Sequence, residues 1–191
     1  MGKVATPVNV LIGCEFSGTV RDAFRARGHD AWSCDLLPTE TDPACHLQTD
    51  VWDAIGDGSR WDMLIAFPPC TYLCRSGDRW HAGSIQRRDA AQFFLRLLDA
   101  PVPRVALENP RSLALPRPTV VIQPWEYGHR ETKATGLWLR HLPPLMPTDV
   151  CAGPYEARVH RMPPSADRWR ERSRTLPGIA AAMADQWGAL S

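Results

Sequence analysis

The stretch that most constrains this chain is Asp62-Met-Leu-Ile-Ala-Phe-Pro-Pro-Cys-Thr71. Met63 to Phe67 is a continuous apolar run, the pattern of a strand buried on both faces. Pro68 and Pro69 stop it, because proline has a fixed φ and no N–H to donate to a ladder. Cys70 is therefore expected on a stiff loop just past the strand's carboxyl end, the edge at which open α/β sheets bind ligands. On its own the segment allows two readings: a cysteine nucleophile, or a small apolar residue buried in a turn.

A length of 191 residues suits one domain, residues 1–191, with a real core. The net charge of +1 gives no global basic field, although a local patch is enough for nucleic acid. No apolar run approaches the ~18 residues of a membrane span, so no membrane partner is expected. Lys3 is not followed by the long apolar segment of a signal peptide. The six cysteines, at 14, 34, 45, 70, 74 and 151, include no Cys-x-x-Cys pair, which suits a reduced, cytoplasmic protein. Cys70-x3-Cys74 could be half of a zinc site completed by His46, His81 or Cys151, but its spacing is loose and no metal is expected.

After an unstructured lead-in over residues 1–7, Val8–Gly13 reads as the first strand, Cys14-Glu-Phe-Ser-Gly18 as a turn, and Val20 to Arg27 as a helix closed by Gly28. This is the opening half of a nucleotide-binding βαβ unit, without the GxGxxG of a phosphate loop. Ala31–Asp35 is a second strand ending in an acid, placed either to accept from a ribose diol or to make an ordinary turn. Asp50 follows the short run His46-Leu-Gln-Thr and precedes a helix over Val51–Ile55. It is either that helix's N-cap or a contact to an adenine amino group. The loop after Cys70 carries Arg75, Arg79, Trp80 and His81, which suit phosphates and stacked bases, or a plain solvated loop. Ser84–Ala100 has a helical apolar face of Ala90, Ala91, Phe94, Leu95, Leu97 and Leu98. Arg104-Val-Ala-Leu-Glu-Asn-Pro110 is a short strand with an acid and an amide at its tip, where a desolvated carboxyl can hold a proton.

Pro68-Pro69-Cys70 on one strand end and Glu108-Asn109-Pro110 on the next resemble the signature pair of the DNA cytosine-5 methyltransferases. Order and spacing agree over residues 8–110, and Gln123–Leu139 is similar to short, phage-type members of that family. The resemblance implies a Rossmann-like S-adenosylmethionine (SAM) methyltransferase fold, α/β, with a mostly parallel seven-stranded sheet and helices on both faces. It implies SAM against Cys14, Glu15, Phe16, Ser17 and Gly18, the ribose at Asp35, the adenine at Asp50, and Pro68 beside the cofactor. Cys70 would attack cytosine C6, Glu108 would stabilise charge on the ring, and Asn109 would hold Glu108 or bind the base edge. Pro69, Arg79, Trp80, Lys133 and Thr135 would meet the substrate, a flipped or single-stranded cytosine of DNA.

The departures are specific. The family's turn has more glycine than Cys14–Gly18, and its Arg-x-Arg is Lys133-Ala-Thr135 here, with Arg130 or Lys133 as substitutes for the second arginine. No large target-recognition domain fits after Pro110, so sequence specificity is expected to be low, or to come from a homodimer partner or the loop around Trp80. Residues 140–176 are rich in proline and arginine, a candidate phosphate-binding surface or a solvated loop leading into a helix. Thr119–Gln123 and Thr135–Leu139 read as a late hairpin, and Gly178–Leu190 as a terminal helix packed beside the first strand. Other readings are transfer of a bulkier group such as carboxymethyl from carboxy-SAM, action on RNA or a free pyrimidine nucleotide, and a catalytically inactive DNA-binding protein.

Overall fold

The computed structural model describes residues 6–74 and 81–190. Its strands are β1 (Asn9–Gly13), β2 (Asp30–Asp35), β3 (His46–Gln48), β4 (Met63–Ala66), β5 (Arg104–Pro110), β6 (Val120–Ile122) and β7 (Thr135–Arg140). They form one seven-stranded sheet in the order β3-β2-β1-β4-β5-β7-β6. Neighbours pair in parallel except at β7, which runs antiparallel to both β5 and β6. This is the expected α/β, Rossmann-like arrangement, a mostly parallel seven-stranded sheet with helices on both faces. The chain works outward from β1 to β3 and then returns to β4, so the topological switch point lies between β1 and β4.

The central strands alternate their side chains between two cores, as the period of a strand requires. Val10, Ile12, Met63 and Ile65 face α1 (Thr19–Arg25) and the last helix, where Val20, Phe24, Met183 and Trp187 are buried with them. Leu11, Leu64, Val105 and Leu107 face α2 (Val51–Ile55) and α3 (Ile85–Leu98), against Ile55, Phe94 and Leu97. Two short helices follow the sheet, α4 (Arg158–Arg161) and α5 (Arg168–Ser173), before α6 (Pro177–Trp187) returns to cover β1.

Most boundaries fall within two residues of the sequence reading, because the stops are chemical. Pro68 follows β4 directly, and Ser84 caps α3 by accepting from the Arg87 amide at 3.2 Å. Three points differ. His46–Gln48 is a strand, parallel to β2 at the sheet edge, too short to show a period. Leu95 is exposed, because it falls off the face that buries Phe94 and Leu97. The arginine-rich segment contains two helices rather than one helix start.

Candidate active site

The carboxyl ends of β1, β4 and β5 converge on one cleft, and the loop after β4 enters it. Pro68 is buried, and its carbonyl accepts from the side-chain amide of Asn109 at 2.8 Å. Beyond it the chain turns at once: the Cys70 carbonyl accepts from the Leu73 and Cys74 amides, both at 3.0 Å. Leu73 is fully buried and anchors that turn, which leaves Cys70 exposed at the cleft mouth.

Cys70 and Glu108 line one small cavity of about 90 Å³, with Lys133 and residues 172–175 on its far wall. Burial pushes the Glu108 carboxyl above its ordinary value, against the opposing pull of Lys133 and a hydrogen bond to Thr135. The Thr135 hydroxyl donates to the Lys133 carbonyl at 3.0 Å. Burial also raises the Cys70 thiol, followed by the charges of Glu108 and Cys74, while Lys133 and Arg172 lower it. The Lys133 ammonium donates to the carbonyls of Arg172 at 3.0 Å and Arg174 at 3.5 Å.

Asn109 is fully buried, its amide nitrogen is committed to Pro68, and its Oδ1 has no partner. It therefore fixes the cysteine loop. Arg130 is not among the residues that line the small cavity.

A second cavity, of about 630 Å³, lies on the β2 side of the cleft. Asp35 reaches it from the tip of β2, with Oδ1 accepting from the Leu37 amide at 3.0 Å, and burial raises its carboxyl. Asp50 caps α2, accepting from the Trp52 amide at 2.8 Å, and also faces the cavity. Val51, Ala90 and Phe93 supply apolar wall. Cys14 and Pro69 line both cavities, which are therefore adjacent.

The turn after β1 divides its work. Cys14 has a left-handed φ of 55° and lines both cavities. Glu15 is buried and turned under the loop: it accepts from the amides of Val20 at 2.7 Å and Arg21 at 3.3 Å. It thus holds the N-terminus of α1, where a carboxylate is favoured, although burial pushes its pKa up to about 7. Phe16 and Ser17 line the small cavity rather than the large one. Gly18 lines neither. Its φ of 72° turns the chain into α1, and a Cβ there would come within 2.2 Å of the Thr41 hydroxyl.

Sequence reasoning missed the wall formed by residues 168–175. Arg170 and Arg174 pair with Glu40 at 3.6 and 2.7 Å, and Trp169 packs on Phe16 with ring centres 5.7 Å apart. The alternate arginines marked this segment as basic, but nothing local showed that it crosses the cleft. The α3 residues Gln86 and Asp89, in the large cavity, were missed likewise. Arg75, Arg79 and Trp80 lie outside the described residues, as does the lead-in over 1–5. His46 is bound to the Ser33 hydroxyl at 2.9 Å and the Leu37 carbonyl at 3.0 Å, away from Cys70. Among the described residues no group of three or more His, Cys, Asp or Glu is placed to hold a metal ion, and no helix is long and apolar enough to cross a membrane.

No family model matches the chain, and no curated protein matches it. Among solved structures it is similar to a protein of an E. coli prophage described as a DNA modification methyltransferase, at 13% identity and a TM-score of 0.47. The match covers 75% of this chain and 52% of that one, so the chain spans about half of that protein's length. A likeness this distant says nothing of individual residues or of the reaction.

Proposed function

We propose that the chain methylates C5 of cytosine in DNA, with SAM as donor and Cys70 as nucleophile. One observation carries the reading: Cys14 and Pro69 line both the cavity holding Cys70 and Glu108 and the larger cavity bearing Asp35 and Asp50, so the two spaces are adjacent. A reacting base and a donor placed in these two spaces would meet at one junction.

The residues of the large cavity fit SAM. Asp35 suits the ribose diol, the oxygen of Asp50 not used in capping suits the adenine amino group, and Val51 with Phe93 suits the purine faces. When bound, SAM supplies an electrophilic methyl carbon with a neutral thioether as leaving group.

Cytosine C5 is a poor nucleophile within its aromatic ring. Cys70, as thiolate, forms a bond to C6, which breaks the aromaticity and makes C5 enamine-like. Glu108, protonated, donates toward N3, where the ring's charge gathers. Once C5 has been alkylated and its proton removed, the C6–sulfur bond breaks and Cys70 departs as thiolate. Cysteine suits both tasks, being strongly nucleophilic and a tolerable leaving group. Asn109 keeps Cys70 in place by holding Pro68. The base must leave a duplex stack to enter so narrow a space, and the exposed Arg161 suits an adjoining phosphate.

The test is nucleoside mass spectrometry of plasmid DNA from cells expressing the wild-type chain or Cys70→Ala. The expected result is a cytidine species heavier by about 14 Da that vanishes in the variant. A gain of about 58 Da would instead identify carboxymethyl transfer. Unmodified DNA from the wild type would overturn the reading.

A further inference from the structure

Residues 168–175 form a strap that is tied down on three sides. Glu40 holds Arg170 and Arg174, Phe16 packs on Trp169, and Lys133 donates to the carbonyls of Arg172 and Arg174. Arg174 is further paired with Glu171 at 3.3 Å. Arg172 differs from both neighbours. Among the described residues no carboxylate lies within ion-pair distance of it, yet it is half-buried and lines the cavity of Cys70 and Glu108.

That cavity needs a cation. The titratable and charged groups around Cys70 are Glu108 on β5, Cys74 in its own turn, Cys14 and Glu15 after β1, Lys133 before β7, and Arg172 and Arg174 on the strap. A thiolate at the mouth of a cavity that also holds a carboxyl is disfavoured unless a positive charge faces it. Arg174 is neutralised by Glu40, whereas Lys133, whose ammonium donates only to two neutral strap carbonyls, and Arg172 both keep their charge for the cavity.

We propose that Arg172, alongside Lys133, supplies the counter-charge of the Cys70 thiolate, brought to the nucleophile's cavity by a strap from the last quarter of the chain. This rests on the reading of Cys70 as nucleophile. Arg172 is thus a charge-positioning residue, and the ties to Glu40, Phe16 and Lys133 hold it in register with the cysteine loop.

The experiment is alkylation of the folded protein by iodoacetamide, in which the thiolate displaces iodide. The Cys70 peptide is followed by mass spectrometry across pH for wild type, Arg172→Gln and Arg172→Lys. Arg172→Gln keeps the stem and removes the charge. Its midpoint is expected to rise by about one pH unit, and its rate at neutral pH to fall about threefold, since a more basic thiolate is also more nucleophilic. Arg172→Lys should return most of the way to wild type. The buried Cys34 peptide reports in the same samples that the fold is intact. An unchanged midpoint in Arg172→Gln, or a lysine variant displaced as far as the glutamine one, would overturn the proposal. Wild-type DNA without modified cytosine would overturn the reaction and leave the alkylation result standing.

Discussion

The side-chain amide of Asn109 donates to the carbonyl oxygen of Pro68 across 2.8 Å, joining residues 41 apart in the chain. Pro68 lies just past the end of β4, and Asn109 stands beside Glu108 on β5. The loop that carries the Cys70 thiol is therefore pinned by the immediate neighbour of Glu108, so thiol and carboxyl share one frame.

Asn109→Ala should loosen that frame. Leaving a buried carbonyl without its donor is expected to lower the unfolding free energy by about 1–3 kcal/mol. Misplacement of Cys70 should slow cytosine modification by roughly 100-fold. Urea unfolding and single-turnover rates check the two effects. A variant that is destabilised yet fully active would show the frame to be irrelevant to the chemistry.

Asp50 caps α2, and substitution can separate that role from the adenine contact proposed for it. Asparagine caps a helix as well as aspartate does, whereas alanine costs about 1 kcal/mol. Asp50→Asn should therefore melt like the wild type, while Asp50→Ala is less stable and binds SAM about tenfold more weakly, as for a lost hydrogen bond. Thermal melts and titration calorimetry distinguish these outcomes. Unaltered SAM affinity in Asp50→Ala would reduce Asp50 to a cap.

Glu108→Gln should separate thiol acidity from turnover. The charge of Glu108 raises the Cys70 thiol, so its removal lowers the alkylation midpoint, opposite in direction to Arg172→Gln. Modification should nevertheless fall by about 100-fold or more, the usual contribution of a general acid. The wild type needs thiolate and protonated carboxyl together, and its rate is expected to be bell-shaped in pH. The variant should keep only the limb that rises with pH as the thiol ionises.

Glu15 makes stability fall as pH rises. Its folded value, about 7, lies above the ordinary 4.5, so between these pH values the folded state binds more protons than the unfolded one. The extra stability is fully present below the unfolded value and is lost as pH climbs through the folded one. Glu15→Gln should remove this slope, and denaturant midpoints at pH 5 and pH 8 should lie closer together than in the wild type. Equal slopes in both proteins would mean that Glu15 titrates normally.

Much of this architecture is legible locally. The apolar runs of β1, β4 and β5, the proline stop after Phe67, and the acids at the ends of β2 and β5 depend on residues only a few positions apart. Backbone sterics and burial act there without reference to the rest of the chain. The tip residues Asp35, Cys70 and Glu108 could be picked out for that reason, and the sheet edge brings them to one cleft.

The remainder is decided by contacts across the fold. Nothing near Thr135 says that β7 must insert between β5 and β6 and set Thr135 opposite Pro110. Nothing near Asn109 names Pro68 as its acceptor, and nothing near Arg172 places it beside Cys70. Nothing near Glu15 shows that its carboxylate accepts from the amides of Val20 and Arg21 at the start of α1. Local sequence determines which groups are available and how stiffly they are presented. The pairing of those groups is settled only when the whole chain buries its apolar faces together, because a hydrogen bond or charge contact between distant segments is too weak to assemble them alone.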